Sequence, residues 1–265
     1  MRNDQLPMTN DQSAGLGHRV HHNGHCALGI HWSLRIGNWS FQKAFTLIEL
    51  LIVIAIIGVL AGMLATSLAS AQRKTKIRLA KAQMNELAAV IQAYESEYGR
   101  MPCSKDVLTS LTAGSPDFTF GTAGLSISPN IISTANGGYQ ANNAEIIAVL
   151  RPSGNPSFTT LFNTLNPRRV ALFNAKDAIA PNGPGVGADG VLRDPFGNPY
   201  IITLDLNDDN ICQDGFYYPL TQRTEGTGLL IPGQVMIWSF GPDGKANDSV
   251  ARKAGENKDN ILSWE

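Results

Sequence analysis

The sequence predicts an α+β fold: a long N-terminal α-helix, half membrane anchor and half amphipathic, packed on a small antiparallel β-sheet with an extended loop-rich insertion. Three observations predict it. From Phe45 to Gln72 the chain is apolar and its only charged side chain is Glu49. An apolar stripe at helical spacing follows as far as Tyr98. Runs rich in β-branched and aromatic residues then gather in the last third of the chain.

Residues 1–44 do not read as a domain. They hold all five histidines, His18, His21, His22, His25 and His31, at spacings that match no zinc-ligand pattern. They are expected to be a leader removed on processing. The segment 45–72 is long enough to cross ~30 Å of hydrocarbon, which takes ~20 apolar residues. It outlasts the ~7–15-residue apolar stretch of a secretory signal, and a helical pattern continues beyond it. Glu49 stands out because an ionised carboxylate near the lipid core costs a few kcal/mol and is usually functional.

Residues 73–100 continue the same helix. Ile77, Ala80, Met84, Leu87, Ile91, Tyr94 and Tyr98 alternate steps of three and four, the core-facing stripe of an amphipathic helix. No proline intervenes from Phe45 to Arg100, so one helix to Tyr98 would run ~81 Å at ~1.5 Å per residue. Gly99 and Pro102 stop it. The basic cluster Arg73, Lys74, Lys76, Arg78 and Lys81 is either a headgroup-facing patch or a solvated face.

The head, 101–265, carries a variable insertion at about 112–190 that is rich in Gly, Pro, Ser, Asn and Thr. Asn142–Leu150 is expected to be a short Asn-capped helix, with another short helix in PSFTTLFNTL. NPYIITLDL and GQVMIWSF are expected strands, and Gly215–Pro219 adds a shorter apolar-aromatic piece.

The net charge of -1 carries no basic surplus, so a nucleic-acid partner is not predicted. Of the three cysteines, Cys103 and Cys212 lie after residue 44. They are either two unpaired core thiols or a disulfide; spacing alone does not choose. DLNDDNICQDG, from Asp205 to Gly215, has the opening of an EF-hand loop but Asn210 and Phe216 where that loop needs Gly and Glu.

KAFTLIELLIVIAIIGVLAG resembles the cleavage and methylation signal of type IV prepilins and of type II secretion pseudopilins. The resemblance implies cleavage between Ala44 and Phe45 by a prepilin peptidase and N-methylation of Phe45. That family has Gly before the cut; the Ala44 found here is also small. It implies that Phe45 and Glu49 drive assembly, the Glu49 carboxylate of one subunit pairing with the new amine of its neighbour. YGRMP after the helix, DPFGNPY (194–200), SFGPDGK (239–245) and DNILSW (259–264) are similar to elements of the major pseudopilin.

The resemblance therefore implies a pilin fold and a homo-oligomeric filament formed with other pseudopilins on an inner-membrane assembly platform. It implies a single-pass protein of the bacterial inner membrane with its C-terminal domain in the periplasm. It also implies calcium in the C-terminal loop, with Asp243 and Asn260 as matching donors and Asp259, Ser239 and Ser263 as helpers. A type IV pilus subunit for adhesion, motility or DNA uptake is the neighbouring reading. A membrane-anchored hydrolase is the competing class, but after residue 44 the chain has no His, no G-x-S-x-G and no H-E-x-x-H.

Overall fold

The computed structural model describes residues 45–111, 117–123, 125 and 141–265. The expected leader 1–44, Ala44 with it, and residues 112–116, 124 and 126–140 of the expected insertion lie outside the described residues. The chain divides between Ile54 and Ala55 into two units.

Helix α1 spans Leu47–Tyr98 and ends at Gly99, whose φ of 63° is left-handed. It is long and apolar enough to cross a membrane. Every side chain described from Phe45 to Lys76 is exposed, Phe45 at 75% and Leu47 at 82%. A large apolar side chain gains ~1.5–3 kcal/mol on leaving water. This stretch therefore demands a cover of lipid or protein.

Further along α1, Ala80, Met84, Leu87, Ile91 and Tyr94 are fully buried, and Ile77 and Tyr98 flank them. They pack on a four-stranded antiparallel sheet ordered β1 (Phe118–Phe120), β4 (Ile201–Leu204), β7 (Val235–Ser239) and β8 (Ile261–Leu262). Two short antiparallel pairs accompany it, the hairpin of β2 (Gly185–Val186) with β3 (Leu192–Arg193), and β5 (Ile211–Cys212) with β6 (Ile231–Pro232). β4 faces β7 with Ile201 opposite Trp238 and Leu204 opposite Val235. Alternation sends Tyr200, Ile202, Leu204 and Ile237 into the α1 core. Ile201, Met236 and Trp238 enter a second core with Phe216, Tyr217 and Leu220 of the α5 region (α5, Tyr217–Glu225). The sheet is covered on both faces, and the unbroken apolar runs of its strands are the consequence.

The short helices are α2 (Lys105–Ser110), α3 (Ala144–Leu150) and α4 (Pro156–Leu165). α3 and α4 fall where their sequences predict. The expected Asn cap differs in detail. Asn142 Oδ1 accepts from Ala144 N at 3.0 Å, whereas Asn143 turns inward, donating to the Leu192 and Tyr200 carbonyls and accepting from Leu192 N. Gly215–Pro219 is not a strand. The Asp214 carboxylate accepts from Phe216 N and Tyr217 N and so caps a helix, in whose first turn Pro219 needs no partner for its nitrogen.

The cysteines form no bridge. Both are buried and free. Cys103 belongs to the α1 core, where burial and the nearby Glu145 push its thiol up to about 12. Cys212 belongs to the other core and donates to the Gly233 carbonyl at 3.2 Å. The acidic stretch after β4 is a closed turn rather than an EF-hand. The two oxygens of Asp205 accept from Asp208 N and Asn210 N at 2.9 and 2.7 Å, while Asp208 and Asn210 take left-handed φ of 62° and 60°.

Asp117, just before β1, ties this turn down by accepting from Gln213 N at 2.6 Å and Leu206 N at 3.3 Å. Burial, with the charges of Asp205 and Asp209, pushes its carboxyl up to about 6 against those two hydrogen bonds. A raised folded pKa makes the folded state bind the proton longer than the unfolded chain does. The stability contribution of Asp117 should fall as the pH rises from about 4 to about 6 and stay low above that. Denaturant melts of wild type and Asp117→Asn across this range check it, and a difference between the two that does not change with pH contradicts it.

Candidate assembly site and cation loop

The N-terminal site is built by one turn of chain. Thr46 precedes α1, and Glu49 stands three residues on. Glu49 Oε2 accepts from Thr46 N at 2.9 Å and from Thr46 Oγ1 at 2.7 Å, and Glu49 N donates back to Thr46 Oγ1 at 3.3 Å. This is a capping box, in which two groups that the helix start leaves without partners satisfy each other. The pattern Thr-x-x-Glu was open to view in the sequence. It gives Glu49 a job within the chain beside the intersubunit one expected of it. Phe45 lies immediately before, exposed at the head of an apolar helix.

The profile of the prokaryotic N-terminal methylation motif matches residues 39–65. Over this stretch the chain is similar to prokaryotic proteins that carry the N-terminal methylation motif. Type II secretion system core protein G of Pseudomonas aeruginosa is 30% identical over 70 residues, 26% of this chain and 49% of that protein. The match thus spans about half of the relative. No solved structure matches. The α+β architecture, a long N-terminal helix with antiparallel strands, is consistent with a pilin fold.

The second site is the loop between β7 and β8. Its two 3-10 turns, Gly241–Asp243 and Gly255–Asp259, pack on each other. Gly241 has φ of 70°, and a Cβ there would overlap the Asp259 carbonyl oxygen. The loop is braced by the DPFGNPY segment. Asp194 Oδ1 accepts from Phe196 N and Asn198 N, both at 2.8 Å, and Asn198 Nδ2 donates to the Gly241 carbonyl at 2.7 Å. The Ser239 hydroxyl donates to Asp194 Oδ2 and accepts from Gly241 N. Burial pushes the Asp194 carboxyl up, opposed by these donors.

Five residues were expected to serve as cation donors, and the loop brings two of them together. The Asp259 carboxyl is raised first by burial and then by the charge of neighbouring Asp243, and lowered by Arg73. Asp259 Oδ2 pairs with Arg73 Nη2 at 3.0 Å, while Oδ1 is buried with no hydrogen-bond partner. Asp243 Oδ1 accepts from Lys245 N. The other three are committed elsewhere. Ser239 is fully buried in the brace, Ser263 Oγ accepts from Ile237 N at 3.1 Å, and Asn260 Nδ2 donates to Tyr217 Oη at 2.8 Å. Among the described residues no group of three or more His, Cys, Asp or Glu side chains converges. Two adjoining carboxylates with one orphaned, buried oxygen still fit a hard cation, whose remaining ligands would be backbone carbonyls and water.

The basic cluster resolves in an unexpected way. Arg73 reaches Asp259, Lys76 Nζ lies 5.3 Å from the centre of the Phe196 ring, and Lys81 Nζ donates to the Glu265 carbonyl at 2.6 Å. Arg73 and Lys81 tie the C-terminal segment to α1 and Lys76 ties on the turn between β3 and β4, while Lys74 and Arg78 remain exposed. The i, i+3, i+8 spacing of the three puts them along one side of the helix, but their partners lie too far along the chain to be read from spacing.

Proposed function

We propose that this chain is a structural subunit, not an enzyme, of a pseudopilus in a type II secretion-like system. In this reading prepilin peptidase cuts between Ala44 and Phe45, and Phe45 is N-methylated. The chain sits in the bacterial inner membrane with its head in the periplasm. It polymerises there with its own copies and other pseudopilins on an assembly platform. The observation that carries the reading is the exposed apolar stretch at the start of the chain's long helix, opening with Phe45 and holding Glu49 as the one acid between Phe45 and Gln72, where the methylation motif matches.

The physics favours assembly. Cleavage leaves an ammonium at Phe45 in surroundings without water, and a buried charge left unpaired costs about 3–5 kcal/mol. A Glu49 carboxylate on the adjoining subunit neutralises it and sets the axial register. The partial likeness to core protein G favours the secretion filament over an adhesive or motile pilus. Co-expression with the assembly proteins of such a system, followed by shearing of the cells, is the test. Fibres containing this chain should appear in the sheared fraction, and a chain that stays entirely in the membrane fraction would contradict the reading.

Calcium in the β7–β8 loop belongs to the same proposal. Asp243 and Asp259 would hold it, and it would supply the positive charge that lets two neighbouring carboxylates stay ionised in a compact loop.

A further inference from the structure

The five cations of the basic cluster do not share one task. Arg73, Lys76 and Lys81 are spent on the head. The side chains of Lys74 and Arg78 are exposed and have no ion pair or hydrogen-bond partner among the described residues. They stand one helical turn apart, and Leu79, 50% exposed, follows Arg78. We propose that this outward face of α1 is a landing surface for the anionic headgroups of phospholipids, and that it fixes the depth at which the helix leaves the bilayer. The inference rests on the reading of 45–72 as a membrane anchor.

Three observations select the partner. The first is place. The apolar run ends at Gln72, so Lys74 and Leu79 follow it by ~3 and ~10 Å along a helix of ~1.5 Å per residue. The headgroup layer on each side of the hydrocarbon is about 5–8 Å thick, and flexible Lys and Arg side chains extend that reach. The second is sign. Between Glu49 and Glu86 the chain holds five cations and no acid, so no carboxylate of the helix lies at this level to compete with a lipid phosphate. The third is Leu79. An exposed apolar side chain beside two cations suits the membrane boundary, where apolar groups meet acyl chains and cations meet phosphates. A merely solvated patch would leave Leu79 in water at a cost.

The experiment uses the full chain in nonionic detergent, offered equal amounts of phosphatidylglycerol and phosphatidylcholine, with the retained lipid measured by native mass spectrometry. A cation near an anionic surface is worth roughly fivefold. Allowing for screening, wild type should retain phosphatidylglycerol roughly tenfold over phosphatidylcholine at low salt, and less at high salt. The double variant Lys74→Gln with Arg78→Gln should lose that preference, and Lys74→Arg with Arg78→Lys should keep it. Lys105→Gln with Lys176→Gln removes the same charge from exposed positions on the head and should change nothing. Inorganic phosphate at the ionic strength of a chloride control should not compete. The inference is overturned by a wild type without preference, by a Lys74/Arg78 double variant that keeps it, by an equal loss in the Lys105/Lys176 control, or by displacement with free phosphate. A full chain that stays in solution without detergent or lipid would instead contradict the anchor reading itself.

Discussion

Glu49→Ala is expected to insert into the membrane and to be processed, yet to give almost no filament. Two losses follow from removing the carboxylate. Within the chain, the capping box at Thr46 goes, and such a cap is worth about 1 kcal/mol. That loss frays one turn, while the exposed apolar side chains beyond it still drive insertion. Between subunits, the Phe45 ammonium of each neighbour would be buried without a partner, at about 3–5 kcal/mol for every subunit added. At 1.4 kcal/mol for each tenfold change in affinity, a subunit would join a growing end about a hundredfold less well or worse. Glu49→Gln separates the two roles, since Gln also serves in a capping box but carries no charge. Quantifying sheared filaments from wild type and both variants decides: both should be deficient, and normal yield from Glu49→Gln would assign Glu49 to the cap alone.

Asp214→Ala should be the most damaging single change in the head. Asp214 is fully buried, and its carboxylate accepts four hydrogen bonds, from Tyr217 N and Thr203 Oγ1 at 2.7 Å, Phe216 N at 3.0 Å and Trp238 Nε1 at 3.1 Å. It joins the start of α5 to β4 and β7. Burial pushes the carboxyl up and the four donors pull it down. Alanine would orphan Phe216 N, Tyr217 N and Trp238 Nε1 in a buried site, while Thr203 Oγ1 keeps Thr119 Oγ1 at 2.9 Å. Each costs about 1–3 kcal/mol, so a loss of about 4 kcal/mol or more is expected, against a total of about 5–15 kcal/mol for a typical domain. Asp214→Asn keeps the volume and one acceptor and should lie between. Chemical denaturation of the three proteins measures it, and an alanine variant within about 1 kcal/mol of wild type would contradict this account of the second core.

The long-range order of the fold was legible where one physical rule dominates. The alternation of apolar residues from Ile77 to Tyr98 marks a core stripe whatever packs on it, and β4 and β7 fall inside two runs rich in β-branched and aromatic residues. What the sequence concealed depends on partners far away in the chain. Gly215–Pro219 has the composition of a strand, but Asp214 just before it caps a helix, and that outcome needs Thr203 and Trp238 to hold the cap in place. Ser239 looks like a ligand in a Ser-Phe-Gly-Pro-Asp-Gly turn and is instead a brace, because Asp194 arrives beneath it. The Arg73–Asp259 pair joins opposite ends of the described chain and leaves no local trace.

The central claim is that the chain works after losing everything before Phe45. Mass spectrometry of the N-terminal peptide of the membrane-extracted protein tests it most directly. The peptide should begin with N-methylated Phe45. An N-terminal peptide that still carries residues upstream of Ala44 in the mature, assembled protein would contradict it.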